Sequence, residues 1–228
     1  MKKIALVLSF LLFACSAYSQ ETFQMSDQTI YATIKDKDGF VNVRKSANKN
    51  AEIVGTIKNY LVFTCDPGKT DWWKVLFIQR DKLQNPNWIE GYVHKSRISP
   101  LLNWTSKSND IKVIVEKSPY NSKKHKFSNK NQDIFYIDGK RFWGTDGELP
   151  KEVIFAVKIS YKKTQIPVPD EAFNDLFQPS LKSTTLSIGP DNTFYVRMDN
   201  SDGAGGYSII WIFKDDKYIG RYIDDSEA

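Results

Sequence analysis

The sequence predicts a mainly β protein. A small closed or nearly closed barrel over residues 27–102 precedes an antiparallel β domain with one short helix over residues 111–228. Three observations predict this. With 14 Phe, 11 Tyr and 6 Trp, the composition suits pleated, half-buried surfaces. Apolar runs are short and end in Gly, Pro, Asn and Asp turn signals. Long stretches at helical spacing are missing from the chain after its first twenty residues.

Those first residues read MKKIALVLSFLLFACSAYSQ. Lys2 and Lys3 form a basic start, an apolar run follows, and small residues close it. That order is the layout of a secretory signal peptide over residues 1–19, and the apolar run is short for a bilayer span. Cleavage after Ser19 leaves Gln20 first. The alternative is a lipobox reading of residues 12–15, in which Cys15 is lipidated and kept. The expected location is therefore periplasmic or extracellular, with a lipid anchor through Cys15 as the alternative. Without the leader, Cys65 stands alone and cannot form an internal disulfide. Core packing must hold the fold.

Charge excludes little. Residues 27–102 carry 12 Lys/Arg against 8 Asp/Glu, and residues 103–228 carry 18 of each. That mild basic excess in the first half is no nucleic-acid footprint.

In the first region, Val41 and Val43 alternate with Asn42 and Arg44, a half-buried strand. Residues 46–50 are loop-like. Strands follow at 53–57, 60–64, 72–78 and 88–94, with Asp66-Pro67-Gly68 as a turn between the middle pair. Five short strands with glycine at the corners indicate a small barrel. The ordered segments VNVRKSANKNAEIVGTI, WWKV and GYVHKSRI resemble the bacterial SH3 domain (SH3b), over roughly residues 28–101. Residues 78–88 form a longer polar connection than many relatives have. The resemblance implies a peptide or peptidoglycan-stem ligand beside the first long loop, with Asn42, Trp72, Trp73 and Tyr92 as wall residues. Adjacent tryptophans on a strand must face opposite ways, so one of Trp72 and Trp73 belongs to the core.

Residues 103–110 read as a linker. Residues 111–115 form a strand, and 117–132 a basic loop with Lys123, Lys124, His125, Lys126 and Lys130. Asp138-Gly139 and Lys162-Lys163 mark hairpins. Residues 169–177 are the best helix in the chain, with Asp170 as cap and Phe173, Leu176 and Phe177 on one face. Strands 186–188 and 193–198 pair across residues 189–192, and 207–213 pairs with 217–223 across 214–216. The segment DNSDGAGGYSIIWIF leads from glycines into a β-branched and aromatic run. A phosphate cradle leads instead into a helix N-terminus. The glycines therefore read as a connection using positive φ or close backbone approach. This second region also resembles a β-rich domain of uncharacterised bacterial secreted proteins, a likeness that implies no activity.

The sequence offers no catalytic residue and no metal or cofactor set. His94 and His125 are the only histidines and lack zinc-ligand spacing. A Cys65–His94 dyad would lie within the barrel and lacks an orienting third group. Among the acids Asp146, Glu148, Asp170, Glu171 and Asp175 no carboxylate pair is singled out by its surroundings, and turn and cap roles account for most of them. The expectation is a non-catalytic envelope protein that binds peptide, peptidoglycan or an envelope protein, with no nucleic acid partner and no transmembrane segment after leader removal. An inhibitor or immunity-type partner protein is the alternative reading, and a cell-wall hydrolase with an unrecognised site the second.

Overall fold

The computed structural model of the chain describes residues 25–26, 28–104, 107–131, 134–201 and 203–226. The leader and both cleavage readings lie outside these residues. The protein is mainly β and antiparallel throughout its strand ladders. Among the described residues no helix is long and apolar enough to cross a membrane.

The first sheet contains β1 (Ile30–Ile34), β2 (Phe40–Arg44), β3 (Ile53–Lys58), β4 (Phe63–Asp66), β5 (Trp72–Arg80), β6 (Pro86–His94) and β7 (Ile98–Pro100). Its strand order is β3-β2-β6-β5-β4-β1-β7. The sheet curls on itself. Ile57 of β3 and Ile98 of β7 come from opposite ends of that order yet share one core with Ala32, Ile34, Val43, Phe63, Cys65, Val75 and Val93. The polar connection at 78–88 is largely strand. β5 continues to Arg80, which pairs with Pro86, and only a tight tip remains. There the Asp81 carboxylate accepts from the backbone N–H of Leu83 and of Asn85.

The rest of the chain forms β8 (Ile111–Pro119), β9 (Phe127–Asn131), β10 (Ile134–Ile137), β11 (Lys140–Arg141), β12 (Glu152–Tyr161), β13 (Thr164–Ile166), β14 (Thr185–Ile188), β15 (Thr193–Asn200), β16 (Tyr207–Lys214) and β17 (Lys217–Asp224). They assemble as β11-β10-β9, β13-β12-β8 and β14-β15-β16-β17. The hairpin turns fall where the sequence puts them. Asp138 and Gly139, Lys162 and Lys163, and Asp215 and Asp216 all have positive φ. Two such residues in a row match the twist of the flanking strands.

Two expectations need correction. Residues 169–177 do not form a two-turn helix. Only Asp170–Ala172 makes a single 3-10 turn, and Asp170 does not cap it. Leu176 and Phe177 instead form bridges with Trp143 and Val153. Burying those side chains against neighbouring strands, with extended backbone, outweighs local helix preference. The basic segment 117–132 is not a plain loop either, since β8 runs to Pro119 and β9 occupies its second half.

The four-stranded sheet is a middle layer. Tyr195, Ile210, Ile212 and Tyr222 join the core of the first sheet. Their sequence neighbours Phe194, Val196, Ile209, Trp211, Phe213 and Ile223 join a second core with Ile154, Ile159, Ile166, Phe173 and Leu176. Strand alternation sends successive residues of β15, β16 and β17 into different cores. Both faces of β16 are therefore apolar, which explains its unbroken run of large residues.

A buried polar cluster fastens the β5–β6 hairpin to the later strands. Asp225 accepts from Arg80 at 2.5 Å, from Arg141 at 2.7 Å and from Trp143 Nε1 at 3.2 Å. Arg221 grips Asp175 with two bonds of 2.6 and 2.5 Å and reaches Gln84 on the hairpin tip at 3.3 Å. The guanidinium groups of Arg80, Arg141 and Arg221 lie 4.9, 5.8 and 5.9 Å from the Trp143 ring. Paired charge over an aromatic face tolerates burial that isolated charge does not.

Candidate functional site

The outer face of the first sheet is set by alternation. On β2, Val41 and Val43 enter the core while Asn42 and Arg44 face outward. On β6, Gly91 and Val93 are buried while Tyr92 and His94 are part-exposed. Register places Trp72 opposite His94, and Lys74 opposite Tyr92. Arg44 in turn pairs with Tyr92. Asn42, Trp72 and Tyr92 thus share one side of the sheet. Trp73 lies on the other side and packs against the core. The sequence requires one tryptophan inward, and the structure identifies it as Trp73. Trp72 meets the His94 ring edge-on at 5.4 Å. The His94 Nδ1 lies 2.8 Å from Ser96 Oγ.

Further along the same face, cross-strand pairing gives a row of Tyr31, Thr64, Leu76 and Glu90. This row and Trp88 form one wall of a groove of about 1070 Å³. The opposing wall comes from the middle sheet through Thr185, Ser187, Tyr195, Arg197, Asp199, Ser208 and Asp224. Arg197 Nε donates to Asp199 Oδ1 at 2.8 Å, and its guanidinium lies 4.5 Å from the Tyr31 ring. Ser208 Oγ donates to the same Asp199 oxygen at 2.5 Å. The Tyr31 hydroxyl donates to Asp224 Oδ2 at 2.9 Å. Burial first, and the Asp224 charge second, push the Tyr31 phenol far above its ordinary value.

The glycine-rich connection borders this groove. Asn200, Ser201, Gly206, Tyr207 and Ser208 line it. Gly203 takes φ +53°, and a Cβ on Gly205 would come within 2.8 Å of the Thr145 carbonyl carbon. Both uses of glycine predicted for this stretch occur. Sequence reasoning missed the groove itself. One signal was available: Arg197 and Asp199 interrupt the otherwise apolar β15 at alternate positions, so one side of that strand had to meet something polar.

The remaining predicted residues are dispersed. Cys65 faces the core, fully buried, and burial pushes its thiol up to about 12. His94 is on the opposite side of the same sheet, so the two cannot act as a pair. Asp146, Glu148, Asp170 and Glu171 are exposed, while Asp175 is held by Arg221. In the basic segment, His125 Nδ1 lies 2.7 Å from Asp138 Oδ2, and its ring stacks on Tyr120 at 4.9 Å. Among the described residues, no three His, Cys, Asp or Glu side chains are placed to hold a metal ion.

Comparison of the chain with family models, with curated proteins and with solved structures finds no match.

Proposed function

We propose that this is an exported, non-catalytic binding protein of the cell envelope. Residues 27–102 act as its SH3-like barrel, and that barrel grips peptide or peptidoglycan material. The observation that carries this reading is the common outward side of Asn42, Trp72 and Tyr92, next to the loop after β2. An aromatic pair beside polar groups gives apolar contact area together with hydrogen-bonding ends, as peptide and glycan ligands require. The leader 1–19 supplies export, and Cys15 supplies an anchor if it is kept and lipidated.

The test is co-sedimentation of the protein with purified peptidoglycan at low salt. The protein is expected in the pellet, and the double variant Trp72→Ala/Tyr92→Ala is expected to lose at least about tenfold in apparent affinity, the scale of a lost aromatic hot spot. Wholly supernatant protein would sink the proposal.

A further inference from the structure

We infer that the groove between the first sheet and the middle sheet is a second site, which binds an extended peptide carrying basic side chains. This inference does not depend on wall binding by the barrel. Its first support is charge. The chain as a whole is basic, with a formal net charge of +5. The groove reverses that sign, because among the described residues Glu90, Asp199 and Asp224 line it against the single cation Arg197. Arg197 is already committed to Asp199 and the Tyr31 ring. Asp224 is buried and, among the described residues, accepts from the neutral donors Tyr31 and Ser226. A cationic group entering the groove meets a lining with three carboxylates to one cation, an excess of negative charge that favours it over an anion.

The second support is shape. The volume is that of a ligand cleft rather than a packing defect. Trp88, an exposed ring on the groove wall, offers aromatic surface for the stem of a long basic side chain, as well as a cation–π contact.

The third is backbone. β14 forms part of the wall and is the edge of the four-stranded sheet, with β15 as its neighbour on one side and no strand among those described on the other. An extended peptide can add to such an edge through main-chain hydrogen bonds, and alternate side chains then point into the groove. Together these features select a peptide over a compact cation or a neutral sugar.

The experiment titrates the full chain with an acetylated, amidated hexapeptide alternating lysine with valine. Binding is read by calorimetry and by chemical shifts of the tryptophan indole N–H groups. Saturable binding that shifts Trp88 and Trp104 is expected. The peptide with glutamate in place of lysine should bind at least tenfold more weakly. So should the lysine peptide N-methylated at alternate backbone nitrogens.

Glu90→Gln, at an exposed position, and Asp199→Asn, which keeps an acceptor for Arg197 and Ser208, should each weaken the lysine peptide several-fold. The inference is overturned if the lysine and glutamate peptides bind alike, if N-methylation changes nothing, or if both variants bind as the parent does. Loss of wall binding in Trp72→Ala/Tyr92→Ala leaves these outcomes unchanged, so the two sites fail separately.

Discussion

Replacing Ile210 by alanine tests whether the middle sheet joins two cores into one cooperative structure. Ile210 is fully buried and belongs to the core of the first sheet, although it lies on β16. The change removes three carbons, each worth about 0.8 kcal/mol on burial. A residual cavity adds to that loss, so the expected cost is about 2–5 kcal/mol. Against a stability of about 5–15 kcal/mol, this is a large fraction.

Urea unfolding followed by tryptophan fluorescence and far-ultraviolet circular dichroism measures it. At a slope of about 2 kcal/mol per molar, the midpoint should fall by roughly 1–2.5 M with both signals moving together. Ile209→Ala is the companion variant. Its side chain enters the second core, yet it should lower the same single transition by a similar amount. A loss below about 1 kcal/mol at Ile210 would refute the reasoning, as would two transitions of which only one responds.

Arg221→Ala should cost about 3–5 kcal/mol in the same assay, because it strands the Asp175 carboxylate in a buried site, while Arg221→Lys should cost less by keeping the charge. In a Cys15→Ser background, Cys65 should resist a thiol-specific chromogenic reagent at pH 8 until denaturant is added, since its titration is pushed up to about 12; immediate reaction of the folded protein would contradict its burial. Asp36 is held below the ordinary carboxylate range, first by the Asp38 backbone N–H and then by the Arg97 guanidinium. Its contribution to stability is therefore fully present above about pH 4, and is lost as pH falls through the depressed value. Asp36→Asn should lower the urea midpoint at pH 7 and converge with the parent at strongly acidic pH; an equal gap at both would reject the linkage.

Local chemistry was legible in the sequence. Asp138-Gly139, Lys162-Lys163 and residues 214–216 mark hairpins because tight turns between twisted strands demand particular backbone angles, and those angles depend on the turn residues themselves. The strand pairs 186–188 with 193–198 and 207–213 with 217–223 follow from the turns at 189–192 and 214–216. The helix at 169–177 failed because its apolar spacing served two strand bridges that lie far away in sequence. Asn42, Trp72 and Tyr92 could be placed on a strand from alternation, but which tryptophan turns inward depends on the register with β6. The groove was illegible as a unit. Its walls come from β1, β4, β5 and β6 on one side and β14 to β17 on the other, and no local pattern encodes how two sheets meet.

The position of β16 also governs how the molecule comes into being. The strands that supply the shared layer, β14 to β17, are synthesised after both cores they complete. Until they emerge, both cores lack the side chains that β15, β16 and β17 contribute to them. Cooperative folding must then wait for the final hairpin, and a chain stopped before Tyr207 would expose apolar side chains of both cores together. The order of synthesis thus sets the last hairpin as the piece whose loss leaves both cores incomplete.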